Sequence, residues 1–116
     1  MRVSREIEFK AVHSHHGMMT EPQHGHNYRV VICMEGEPNE EGFVCDFRAV
    51  KRIFKNVVLD GVEETSLDLI FEYPTAEVIA SWIWHKLTPF FPLYSVEVKE
   101  KTNSWAIYYG PGVQYS

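Results

Sequence analysis

Histidine is concentrated in one short stretch of this 116-residue sequence. Five of the six histidines lie within fourteen residues, at His13, His15, His16, His24 and His26. Three neutral imidazole nitrogens that converge on one point can bind zinc and leave its fourth position for water or substrate, as in a catalytic zinc site. The simpler alternative is a set of loop and strand-end histidines with ordinary hydrogen-bond partners. The secondary structure elements that carry these residues help to decide between a zinc site and ordinary histidines.

The sequence on both sides of the cluster alternates with the period of a β-strand. Over residues 3–13 and again over residues 24–35, the residues at every second position are mostly apolar, and the segment between them contains a glycine and a proline, which predicts a loop. His24 and His26 would project from one face of the second strand, and His13 would end the first strand beside them. The zinc hypothesis therefore names His13, His24 and His26, whereas the other two histidines of the cluster fall in the loop.

Two helices are predicted in the middle of the chain. After Asp46, a favourable N-cap, the apolar residues take the spacing of an amphipathic helix that ends near Leu59. A second helix begins at Thr75, which is placed to cap it, and continues until Pro89 stops it. His85 lies in the middle of this second helix and is interpreted as structural.

The C-terminal third returns to the period of β-strands, near residues 96–101 and 104–109. Two strands, two helices and two strands predict an α+β fold, with a four-stranded antiparallel sheet that carries both helices on one face, in the order ββααββ. The other face of such a sheet must be wet, polar or covered by another subunit. The strands are long, so we expect oligomerisation, and an aromatic content of 14% also favours packing between chains.

Composition narrows the class of protein. A chain of this length, 45% apolar, is sufficient for one domain, assigned here to residues 1–116. The net charge of -5 makes nucleic acid a poor partner. No stretch approaches the roughly 20 apolar residues of a membrane span, so the sequence predicts no membrane association and a cytoplasmic protein. Cys33 and Cys45 lack metal-type spacing and are expected to be small buried apolar residues, not a disulfide.

Six short motifs, in this order and spacing, resemble the 6-pyruvoyltetrahydropterin synthase and 6-carboxytetrahydropterin synthase family. They are F-K-A-V-H at 9–13, H-G-H-N-Y at 24–28, V-C-D-F at 44–47, L-D at 59–60, P-T-A-E at 74–77, and V-K-E at 98–100 followed eight residues later by Tyr108. The resemblance covers nearly the whole chain and implies a pterin-binding tunnelling fold. It also implies a homohexamer, in which sheets join into a barrel in each of two stacked trimers.

The resemblance also implies a site. It assigns zinc to the three histidines already named and assigns Glu100 to anchoring the pterin. A pterin presents an N–H and an exocyclic amine side by side, which a carboxylate can accept bidentately. The alternative for Glu100 is a strand-end salt bridge. Thr75 and Glu77 fall beside the pterin in the family pattern, although Thr75 is equally well explained as a plain helix cap.

Two departures from the family pattern bear on the reaction. Family synthases carry a catalytic cysteine shortly before H-G-H, and residues 18–23 contain none; they also pair an aspartate with a histidine, whereas Asp60 is followed by Gly61. Glu21 remains in this segment. Relatives with a glutamate near the lost cysteine cut the side chain of dihydroneopterin-type pterins to 6-hydroxymethyl-dihydropterin. Glu21 is therefore predicted to be the catalytic base, and Asp60 could assist it.

The leading hypothesis is a zinc-dependent lyase acting on the side chain of dihydroneopterin or its phosphates. Within the enzyme class, the alternative is a true 6-pyruvoyltetrahydropterin or 6-carboxytetrahydropterin synthase, the first of which eliminates triphosphate. From a different class, the alternative is a non-catalytic, zinc-containing, pterin-binding oligomer. Metal content and the products formed from pterin substrates would separate these hypotheses.

Overall fold

Four strands form one antiparallel sheet in a computed structural model of the chain. The strands are β1 (Arg2–His13), β2 (His24–Glu35), β3 (Leu93–Lys101) and β4 (Ser104–Tyr108), and they lie in the order β1-β2-β3-β4. The structure describes residues 1–13, 24–60, 62, 67, 70–101 and 103–113, with the backbone alone at positions 12, 13, 24–26 and 101. Each strand pairs antiparallel with its neighbour in sequence, so the sheet is the four-stranded antiparallel sheet that the sequence predicts.

Both helices begin at the residues that the sequence predicts. Helix α1 (Phe47–Phe54) starts after Asp46, whose carboxylate accepts a hydrogen bond from the backbone N–H of Arg48 at 2.9 Å. Helix α2 (Ala76–Leu87) starts after Thr75, whose Oγ1 accepts from the N–H of Val78 at 3.2 Å. Each cap satisfies a backbone donor that has no partner inside the helix.

The first helix ends in a wider turn than its periodicity predicts. After Phe54 the backbone forms a π-helical turn, Lys55–Leu59, which the N–H of Asp60 closes by donating to the Lys55 carbonyl at 3.1 Å. The expected end near Leu59 is confirmed, but the last turn is not α-helical. The wider turn allows two consecutive apolar residues, Val58 and Leu59, both to be buried.

The core lies between the helices and one face of the sheet. Alternate residues of the strands face the helices, which contribute their own apolar faces. The buried strand residues are Ile7, Phe9, Ala11, Tyr28, Val30, Ile32, Met34, Val96 and Val98, and the buried helix residues include Val50, Phe54, Ile79, Ile83 and Leu87. The predicted α+β class, with two helices on one face of the sheet, is confirmed.

Three further sequence expectations can be compared with the structure. Cys33 and Cys45 are free thiols, as expected, but both are half-buried, and burial raises the pKa of the Cys45 thiol. His85 is exposed, and its Nδ1 donates to the Ser81 carbonyl one turn earlier at 2.7 Å, because a carbonyl oxygen can only accept. Among the described residues, no helix is long and apolar enough to cross a membrane.

Candidate functional site

The register of the first hairpin brings the three predicted zinc ligands to one end of the sheet. The Cα atom of His13 is paired with that of His24, and the Cα atom of Ala11 is paired with that of His26. Positions 13, 24 and 26 have the parity of Ala11 and Tyr28, which are buried beneath the helices. All three positions therefore belong to the helix-covered face. The described side chains contain no cluster of three or more residues suited to a metal, and the imidazoles at 13, 24 and 26 lie outside that set.

A cluster of three aromatic rings lies next to the histidine positions. Phe9 and Tyr28 stack with centroids 5.3 Å apart and an interplanar angle of 18°, and the Phe54 ring lies 6.2 Å from that of Phe9. All three rings are buried. Phe9 is four residues before His13, and Tyr28 is two residues after His26, so strand alternation predicts that they share the face of the histidine positions, but it does not predict that the rings stack. The cluster forms a buried aromatic wall beside the positions of the predicted metal ligands.

Glu100 lies in β3 at a β-bulge near this wall. The last β2–β3 pair joins Arg29 to Lys99, and His26 is three residues further along β2. Toward β4, the pair of Lys99 with Trp105 is followed by the pair of Lys101 with Ser104, so Glu100 is the extra residue of the bulge. Its side chain is half-buried. Because strands are about 4.8 Å apart and rise about 3.4 Å per residue, Glu100 and His26 are within about 10 Å along the sheet.

Helix α1 runs toward the same end of the sheet. Val44, just before the helix, lies near Gly36 and so near the end of β2, whereas Phe54 packs on Phe9, well along β1. The π-helical turn continues in this direction to Asp60, whose side chain is exposed. The structure therefore places Asp60 toward the end of β1 that carries His13.

The N-terminus of α2 also lies toward this end. Trp84, in the C-terminal half of the helix, packs edge-on against Tyr108 with ring centroids 5.6 Å apart, and Tyr108 is paired with Val96 near the start of β3. The helix therefore begins toward the opposite end, where Glu100 lies. The Thr75 hydroxyl oxygen is used as the helix cap, which leaves its hydrogen to donate, and Glu77 is exposed in the first turn.

Seven described candidates thus reach one end of the molecule: positions 13, 24 and 26, Asp60, Thr75, Glu77 and Glu100. Thr75 is a helix cap by its geometry, and Glu100 occupies a bulge that alternation alone does not reveal. The predicted base, Glu21, lies outside the described residues. The candidate site combines imidazole positions, a carboxylate beside an aromatic wall and a second carboxylate at the end of a helix. Such a set can bind a flat heterocycle and move a proton.

Comparison with known proteins identifies the family to which the chain belongs. The family described as 6-pyruvoyl tetrahydropterin synthase matches residues 2–111. The 6-carboxy-5,6,7,8-tetrahydropterin synthase of a Synechocystis species is 33% identical, with 94% of this chain and 93% of that protein covered. The dihydroneopterin monophosphate aldolase of Pyrococcus furiosus is 31% identical, with 78% of each chain covered.

A solved structure shows the same fold. The 6-pyruvoyl tetrahydropterin synthase of Caenorhabditis elegans superposes with a TM-score of 0.80 at 25% sequence identity, and 95% of each chain is covered. The residues that the family matches, 2–111, include all four strands and both helices of the present chain. The chain belongs to the 6-pyruvoyl tetrahydropterin synthase family, a family of pterin biosynthesis enzymes.

Proposed function

We propose that this protein is a zinc-dependent pterin lyase that shortens the side chain of dihydroneopterin, or of one of its phosphates, to give 6-hydroxymethyl-dihydropterin. The observation that carries the proposal is the pairing of His13 with His24, which brings the histidine positions to the end of the sheet where Glu100 lies. Similarity to the Pyrococcus furiosus aldolase supports the choice of reaction. The sequence also lacks a cysteine at positions 18–23, where family synthases carry theirs.

The histidine positions fit a zinc ion by the chemistry of their side chains. Three neutral imidazoles are a donor set that zinc accepts at catalytic sites. In this proposal His13, His24 and His26 supply the donors. Zinc, when bound, would act as a Lewis acid that makes a side-chain hydroxyl of the substrate more acidic.

The carboxylates have separate roles in binding the pterin ring and in moving the proton. Glu100 binds the pterin ring by accepting its adjacent N–H and amine donors, and Phe9 and Tyr28 support this region from the core. Thr75 and Glu77, at the start of α2, lie on the same side of the molecule and contribute to substrate binding. Glu21 takes the proton from the second side-chain hydroxyl, with Asp60 as an assisting base.

The proposed cleavage balances without an oxidant. When the hydroxyl on the second side-chain carbon loses its proton, that carbon becomes an aldehyde and its bond to the first side-chain carbon breaks. The electron pair moves into the pterin ring system, and a proton then returns to the first carbon. The products are 6-hydroxymethyl-dihydropterin and glycolaldehyde or its phosphate.

Synthase activity is the second candidate, because the Synechocystis and Caenorhabditis elegans proteins are both named as synthases. Incubation of the purified protein with dihydroneopterin, its monophosphate and its triphosphate, followed by chromatography, separates the candidates. We expect 6-hydroxymethyl-dihydropterin from at least one substrate. Release of triphosphate would instead indicate a synthase, and binding without turnover would indicate a pterin-binding protein.

We also propose that the open face of the sheet is covered in a homohexamer of two trimers. Trp105 and Ile107 on this face are 52% and 38% exposed. Strands β1 and β4 are the two edge strands of the sheet. Exposed aromatic and aliphatic groups on a sheet face are suited to burial between subunits. Analytical ultracentrifugation should give six times the 13.5 kDa chain mass.

A further inference from the structure

One row of polar and aromatic side chains crosses the open face of the sheet. It consists of Glu8, Arg29, Lys99 and Trp105, whose Cα atoms are paired in succession from β1 to β4. We refer to these four residues as the cross-sheet row. Neighbouring positions on these strands, such as Phe9, are buried under the helices, so the row is on the opposite face from the candidate site.

The row places two cations opposite each other on the central strands. Arg29 and Lys99 are directly paired, and like charges in this position destabilise a sheet. Each cation has a partner on its outer strand. Arg29 Nε donates to Glu8 Oε1 at 2.8 Å, and Lys99 Nζ lies 4.9 Å from the centroid of the Trp105 ring. The outer partners therefore offset the repulsion at the centre of the sheet.

The row also borders the bulge that contains Glu100. The pair of Lys99 with Trp105 is the last regular β3–β4 pair before the register shifts to Lys101 and Ser104. A change of one residue in register moves side chains to the opposite face of a strand. The placement of Glu100 therefore depends on where this bulge forms, and the Lys99–Trp105 contact is the side-chain contact immediately before it.

We propose that Trp105 and Lys99 are positioning residues, whose contact fixes the bulge and thereby directs Glu100 toward the pterin. The inference rests on the proposed function, because Glu100 is taken as the pterin anchor. Trp105 acts through Glu100 and does not touch the substrate, since it lies on the open face. Trp105 is 52% exposed in the single subunit, so packing in the core of its own subunit does not hold it in place.

The expected effect is moderate. Exposed cation–π contacts and cross-strand pairs are individually weak, so loss of the contact shifts the bulge population without unfolding the sheet. Trp105→Ala should weaken pterin binding about three- to tenfold. Trp105→Tyr keeps an aromatic face for Lys99 and should stay within about twofold of the wild type.

The direct test is calorimetric titration of the zinc-loaded protein with biopterin. Ile107→Ala is the matched control, because Ile107 lies on the same strand and face, is 38% exposed, and is paired with Glu97 away from the bulge. This control should bind biopterin like the wild type. Equal weakening by Ile107→Ala and Trp105→Ala would overturn the proposal, as would a changed molar mass in Trp105→Ala, since the effect would then arise from the face as a whole or from assembly.

Added salt and removal of the Lys99 charge test whether repulsion between Arg29 and Lys99 causes the loss of pterin affinity. Without Trp105, the Arg29–Lys99 repulsion is less well offset, and it weakens as the Debye length falls from about 10 Å at 0.1 M to about 3 Å at 1 M salt. The affinity ratio between wild type and Trp105→Ala should therefore shrink at high salt. Lys99→Met, added to Trp105→Ala, should recover part of the lost affinity. A ratio that neither condition changes would contradict the positioning role.

A double-mutant cycle tests whether Trp105 acts through Glu100. In a Glu100→Gln background the further change Trp105→Ala should have no additional effect, and a full, additive effect would overturn the inference. If the wild type binds no pterin, the proposed function fails separately. Hydrogen exchange at the amides of residues 99–104 then decides the positioning proposal: faster exchange in Trp105→Ala than in Ile107→Ala supports it, and equal exchange overturns it.

Discussion

The Cα atoms of His13 and His24 form the last pair of the β1–β2 ladder, at the point where the chain leaves one strand and enters the next. This pairing fixes the spacing of two predicted zinc ligands through the backbone alone. His26 follows at the same parity, two residues into β2. The three positions are therefore set by hairpin register, and the metal hypothesis can be tested one residue at a time.

Removal of one imidazole should remove the metal. His24→Ala leaves two predicted protein ligands, which seldom hold zinc firmly, so both bound zinc and lyase activity should be lost. Elemental analysis of the purified variant measures the zinc content. His16→Ala and His85→Ala are the controls and should retain zinc. Stoichiometric zinc in His24→Ala would show that the ligand set is wrong.

Neutralisation of the ring anchor should weaken binding without releasing the metal. Glu100→Gln replaces one acceptor oxygen by a donor that faces the donors of the pterin, so affinity should fall by about 1.5–3 kcal/mol. Glu97→Gln is the matched control, because Glu97 lies on the same strand with the opposite parity. Calorimetry with biopterin compares the variants. Equal affinities for Glu100→Gln and wild type would mean that Glu100 has a structural role.

The identity of the base can be tested by turnover. Glu21→Gln should reduce the rate with dihydroneopterin by about 10²- to 10⁴-fold, since this is the usual contribution of a general base, and should leave zinc and pterin binding intact. Asp60→Asn should have a smaller effect if Asp60 only assists. A wild-type rate for Glu21→Gln combined with a large loss in Asp60→Asn would reverse the two assignments.

Most of the fold follows from local patterns in the sequence. Strand alternation and helical spacing predict all four strands and both helices, and Asp46 and Thr75 start the helices because their side-chain oxygens can accept from free N–H groups. The parity of positions 13, 24 and 26 also predicts that they share a face. These features depend on neighbours in sequence, which is why they could be predicted.

The features that were not predicted depend on hydrogen bonding and strand pairing that the sequence pattern does not show. Lys55–Leu59 continues the apolar spacing of α1, so periodicity does not reveal that its turn is π-helical. Similarly, alternation in β3 does not show the extra residue at Glu100, because a bulge is defined by pairing with the neighbouring strand. The cross-sheet row is visible only when the register of all four strands is known.

The N-cap of α1 should make stability depend on pH. The hydrogen bond from the Arg48 side chain and, to a lesser extent, the one from the Arg48 backbone N–H lower the pKa of Asp46 below its ordinary value of 3.8. Since the folded-state pKa is the lower one, this contribution to stability is present above the unfolded pKa and is lost as pH falls through the folded pKa. The Tm difference between wild type and Asp46→Asn should therefore be constant from pH 7 to about 5 and shrink below about pH 4. A Tm difference that stays constant down to pH 2 would contradict this role of Asp46. Glu41→Gln, at an exposed residue, is the control.

Two glycines after β4 allow backbone strain to be separated from packing. Gly110 and Gly112 have φ values of 99° and 83°, so alanine is strained at both positions. A Cβ on Gly110 would lie 2.6 Å from Cζ2 of Trp84, whereas a Cβ on Gly112 would meet nothing within 4 Å. The Trp84 ring cannot move away freely, because it packs edge-on against Tyr108. Gly112→Ala should lower the free energy of unfolding by about 1–2 kcal/mol, and Gly110→Ala should cost about 1–3 kcal/mol more. Urea unfolding at matched protein concentration measures both, and equal losses would show that the Trp84 side chain adapts to the added methyl group.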